Sequence, residues 1–83
     1  MSSEAYLLAQ SAISDLKTAV HIILSENDTG LRNVDIGKIL GIYAGHEGHV
    51  GHIPRALLAM MEREGVAVQD EDKMWRLQAH PLD

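Results

Sequence analysis

Apolar positions recur every three or four residues over residues 3–25: Ala5, Leu8, Ala9, Ala12, Leu16, Ala19, Val20 and Ile23. That spacing is one face of an α-helix, and the predicted helix is about 33 Å long at ~1.5 Å per residue. Ser2 or Ser3 can cap its start. Tyr6, Ile13, Ile22 and Leu24 widen the apolar surface beyond a single stripe. A compact domain of this size has a radius of gyration of roughly 12–13 Å, so part of the helix is expected to project. Two readings fit that length: one long core helix, or a helix that also pairs with a second copy.

Residues 26–30, ENDTG, are a polar break with turn chemistry. Two shorter helical patterns follow. The first is NVDIGKILGIY. Asn33 suits the N-cap, Asp35 the first turn where the helix dipole favours a carboxylate, and Gly41 the end. Ile36, Ile39 and Leu40 share a face by their spacing. The second is PRALLAMMEREG, with Pro54 in the first turn and Gly65 at the end. Its inward stripe is Leu57, Leu58 and Met61, with Ile53 just before them. Pro54, Arg55, Ala59, Glu62 and Arg63 lie off that stripe.

After Gly65 the period changes from helical to alternating. Val66-Ala67-Val68, a polar turn at residues 69–73 and Met74-Trp75-Arg76-Leu77 predict a hairpin, with Trp75 and Leu77 on one face. Trp75 is read as the large side chain that seats the hairpin on the helices.

Helix, helix, hairpin is the order of a winged helix. Residues 31–77 resemble the winged helix-turn-helix superfamily, in particular the small bacterial modules found alone or appended to restriction enzymes. The resemblance implies an α+β fold: a three-helix core with a small C-terminal β-hairpin wing. It also implies a very short strand at Leu31-Arg32, between the first two helices. The chain is then one domain, residues 1–83. Residues 1–26 are the long helix, 30–77 the helix-turn-helix and wing, and 78–83 a frayed tail.

In this superfamily the second helix of the pair enters the DNA major groove, its N-terminal residues reaching base edges. The matching positions are His52, Arg55 and Ala59, with His49 from the preceding loop. Arg55 can donate two hydrogen bonds to guanine. Arg32, Lys38 and Arg63 are the expected phosphate contacts. The implied function is a non-catalytic, dimeric DNA-binding module, regulating transcription or accessory to DNA transactions. The partners are double-stranded DNA and a second copy held through the first helix.

Composition changes the picture in one respect. The net charge is −5, the wrong sign for strong phosphate binding. Six of the seven bases fall after residue 30, which softens the objection. The wing tip, Asp70-Glu71-Asp72, carries acids where a phosphate-contacting wing carries Lys or Arg. Both features favour a rival reading: a protein-interaction winged helix that binds no nucleic acid. The remaining figures set bounds. Eighty-three residues without cysteine form one small domain of limited core, built from aliphatic residues because Phe is absent.

The segment AGHEGHVGH places His46, His49 and His52 at three-residue spacing with Glu47 among them. Imidazoles can bind zinc or nickel, but the spacing matches no closed structural-zinc pattern, so a solvated polar loop is expected and no cofactor. No nucleophile elbow, phosphate loop or HExxH motif is present, and no enzyme or small-molecule substrate is expected. A several-hundred-Å3 pocket is not expected beside so small a core. No uninterrupted apolar run approaches the ~20 residues of a membrane span, and MSSEAY lacks the basic start of a signal peptide. No membrane contact is expected, and the cytoplasm is the default location.

Overall fold

A computed structural model of the chain describes residues 3–42 and 52–78. The elements, in order, are α1 (Ser3–Ser25), α2 (Asn33–Leu40), α3 (His52–Arg63), β1 (Ala67–Gln69) and β2 (Trp75–Leu77). The fold is α+β: three helices and an antiparallel two-stranded hairpin, with Ala67 opposite Leu77, Val68 opposite Arg76 and Gln69 opposite Trp75. Each element matches a sequence segment to within one or two residues. The tail at 79–83 and the loop holding His46 and His49 lie outside the described residues.

One core joins every element. Val20, Ile23 and Leu24 come from α1, Ile36 from α2, and Leu57, Leu58 and Met61 from α3. Ala67 and Trp75 come from the hairpin. Ile13, Leu16, Leu31, Leu40, Ile42, Val66 and Leu77 pack around them, partly buried. Three readings of face need correction. Ile39 and Ile53, expected inside, are exposed. Pro54, expected off the stripe, is fully buried. The cause on α3 is its start: the helix begins at His52, so Pro54 occupies the third helical position. Its missing N–H still costs no intrahelical bond there. On α2 Ile36 is the one large side chain that is buried, beside the buried Gly37, while Leu40 packs at the margin, a stripe too narrow to include Ile39.

The helix ends explain the connections. Asn33 is already helical, and Arg32 is the N-cap, in extended conformation. A guanidinium has no acceptor with which to cap a helix. Asp35 makes the stabilising contact instead, accepting the Arg32 backbone N–H at 3.1 Å. Both α2 and α3 end in the same two-bond motif around a left-handed glycine. Ile42 N–H donates to the Gly37 carbonyl at 2.8 Å, and Val66 N–H to that of Met61 at 2.9 Å. At the end of α1 the Asn27 side chain donates to the Ile23 carbonyl at 2.7 Å, and the Asn27 carbonyl accepts Gly30 N–H at 2.8 Å. That turn delivers Leu31 to the hairpin, where it bridges Trp75 in antiparallel fashion.

The first ten residues of α1, residues 3–12, are exposed throughout. The radius of gyration, 13.8 Å, exceeds the roughly 12 Å of a compact domain of this length. By length and composition α1 could cross a membrane. Its C-terminal half, however, is built into the core through Val20, Ile23 and Leu24. The ten outer residues span only about 15 Å, half of a ~30 Å hydrocarbon layer.

Candidate nucleic-acid interface

The hairpin turn organises one side of the molecule. Asp70 lies half-buried at its start, and its Oδ1 accepts the backbone N–H groups of Asp72 (2.9 Å) and Met74 (3.0 Å). Its Oδ2 pairs with Arg76 Nη2 at 3.2 Å. The Asp70 carbonyl accepts Lys73 N–H at 3.0 Å. One of the three wing acids is therefore committed to building the turn. The chain closes the turn by placing Lys73 at φ +64°, the left-handed region that costs a lysine roughly 1–2 kcal/mol.

The turn faces the start of α2 and the first turn of α3 across an open cleft of about 620 Å3. Its lining is Arg32, Asn33, Val34, Arg55, Gln69, Asp72, Lys73 and Trp75. Trp75 belongs to both core and cleft: it is buried, so it forms the floor and offers little ring face for stacking. Three segments distant in sequence each contribute a cation: Arg32 before α2, Arg55 from α3 and Lys73 from the turn. Against them stands one acid, Asp72, so the lining carries 3 − 1 = +2 on a chain of net −5. The positive end of the α2 dipole, at Asn33 and Val34, adds to it. The volume falls within the range of ligand pockets, contrary to the expectation from chain length.

The expected site residues divide. Arg32 and Arg55 meet in the cleft, and both are exposed. Arg63 lies eight residues beyond Arg55, about 12 Å along α3, and does not line it. Lys38, near the far end of α2, does not line it either. His52 is exposed at the first position of α3, outside the lining, and Ala59 is partly buried one turn past Arg55. His49 lies outside the described residues. Lys73 was not among the expected site residues, and the structure adds it to the lining. Its signal is the Asp70-x-Asp72-Lys73 order, in which the first acid makes the turn and the lysine follows it.

Glu64, whose charge would repel phosphate, is paired with Lys17 of α1 at 2.7 Å. Among the described residues no group of three or more His, Cys, Asp or Glu is placed to hold a metal ion. No protein-family model, curated protein or solved structure matches the chain.

Proposed function

We propose that the chain is a winged helix that binds double-stranded DNA and catalyses no reaction, serving as a regulatory or accessory module. The observation that carries this reading is the convergence of Arg32, Arg55 and Lys73 on one cleft. Phosphate contacts supply most of the affinity of DNA binders, and concentrating cations on one face is how an acidic protein can achieve it. The order of elements supports the winged-helix part: helix, the bridging residue Leu31, two helices, then a hairpin whose second strand pairs with Leu31. In that arrangement α3 approaches the major groove with Arg55 in its first turn, and the hairpin lies alongside. Lys73 supports it independently. A lysine held where glycine would be relaxed is the kind of local strain that accumulates at binding sites.

The rival reading, protein interaction without DNA, draws on Glu71 and Asp72, which are exposed at the wing tip. Amide chemical shifts during titration with a mixed-sequence duplex separate the two. The DNA reading expects perturbations concentrated at Arg32, Asn33, Arg55 and Lys73. Absence of any perturbation leaves the protein-interaction reading in its place, and perturbations confined to α1 would remove the cleft as the site.

A further inference from the structure

The cleft gathers positive charge that its own lining does not offset. No salt bridge among the described residues engages Arg32, Arg55 or Lys73, although Asp72 shares their lining, whereas Lys17 and Arg76 each have a carboxylate partner. Asp35, three residues after Arg32, is turned to the Arg32 backbone N–H and does not line the cleft. Like charges brought together from three segments repel one another, and a bound anion relieves that repulsion. We propose that the cleft also binds a small phosphorylated polyhydroxy compound of the sugar-phosphate class. Such a site is independent of the DNA reading.

Charge and shape select the ligand. Three cations against one acid leave the lining at +2, and a terminal phosphate carries about −1.5 to −2 on one group at neutral pH. A duplex spreads its charge, one per phosphate, along a convex surface. The cleft instead places its cations around one concave space of about 620 Å3, a size that suits a small molecule. Two arginines offer planar donor forks that match pairs of phosphate oxygens. The hairpin wall supplies acceptors: the Asp72 carboxylate, and the side-chain carbonyl of Gln69, whose amide nitrogen donates to the Lys73 carbonyl at 3.3 Å. Acceptors suit hydroxyl groups, and Asp72 disfavours a second phosphate. A nucleotide fits less well, because the buried Trp75 floor offers a base little ring face.

Amide chemical shifts of the full chain, followed during titration with ribose 5-phosphate, test the site. A dissociation constant on the order of 1 mM is expected for so small a ligand. The perturbed amides should be those of residues 32–34, 55 and 69–73. Arg55→Gln should weaken binding about 10- to 100-fold, the loss of one charge-assisted contact. Its melting temperature should not change, because the Arg55 side chain is exposed. Ribose, without the phosphate, and inorganic phosphate, without the hydroxyls, should each bind at least about tenfold more weakly than ribose 5-phosphate. Asp72→Ala should narrow the preference for ribose 5-phosphate over inorganic phosphate, since it removes a hydroxyl acceptor. Equal affinity for inorganic phosphate would mean an adventitious ion only and overturns the proposal. So do equal affinity for succinate, perturbations outside the cleft, or none by about 20 mM ligand. The two readings fail separately: ribose 5-phosphate bound without duplex removes the DNA reading alone, and duplex bound without ribose 5-phosphate removes this one alone.

Discussion

Leu31 and Trp75 exchange both of their backbone hydrogen bonds: Leu31 N–H to the Trp75 carbonyl at 3.0 Å, and Trp75 N–H to the Leu31 carbonyl at 2.7 Å. This single bridge fastens the link between α1 and α2 to the strand whose tryptophan floors the cleft. It holds Arg32, the next residue, at the cleft's edge.

Gly30 is what lets the bridge form. Its φ is +93°, and a Cβ there would lie 3.0 Å from Met74 Cβ and 3.1 Å from the Trp75 carbonyl oxygen. Gly30→Ala should destabilise the fold by about 1–3 kcal/mol, through backbone strain and displacement of β2. Urea denaturation measures it. A change below a few tenths of a kcal/mol would mean that the bridge is not held as described.

Leu58 and Ile39 are both aliphatic helix residues, one fully buried and one exposed. Leu58→Ala should cost about 2–5 kcal/mol, the range for core truncations. Ile39→Ala should stay within roughly 0.5 kcal/mol. Equal losses at the two positions would mean that the register of α2 is wrong.

Much of this was legible in the chain. The apolar periods locate all three helices, and the change to alternation locates the hairpin. Gly41 and Gly65 mark helix ends because both helices close on a left-handed residue. The faces at helix starts were harder. Pro54 is buried because α3 begins two residues earlier than the proline suggests, inside a histidine-rich segment without helical period. Arg32 and Arg55 were candidates from their type and place, and both line the cleft. Their meeting with Lys73 was not, because it depends on how Asp70 bends the turn.

Asp70 can be tested apart from its charge. Asp70→Ala removes the acceptor of two backbone N–H groups and should cost about 1–2 kcal/mol. Asp70→Asn keeps a side-chain oxygen and loses the ion pair to a half-exposed Arg76, so its cost should stay below roughly 1 kcal/mol. Thermal melts of the two variants should differ. If they melt together, the turn does not rest on the Asp70 acceptor.

Lys73 should separate stability from binding. Lys73→Gly relieves the positive φ, so stability should be unchanged or higher by up to about 1 kcal/mol. The same variant should bind duplex more weakly at every sequence, since a phosphate contact carries no base information. A variant that loses stability and keeps its affinity would show that the strained lysine serves the fold instead.

The most direct measurement is the affinity of the full chain for a fluorescent duplex as salt is varied. With Arg32, Arg55 and Lys73 in one cleft, about two to four phosphates should be neutralised per protomer, giving a log–log slope of roughly −2 to −4. Arg55→Ala should relax discrimination between sequences by about 1–3 kcal/mol where it contacts guanine. Binding at low salt with that slope, flattened by about one in Lys73→Gly, is the expected result. No change in anisotropy at about 50 mM salt and tens of micromolar protein, where even non-specific DNA binders are largely bound, would contradict it.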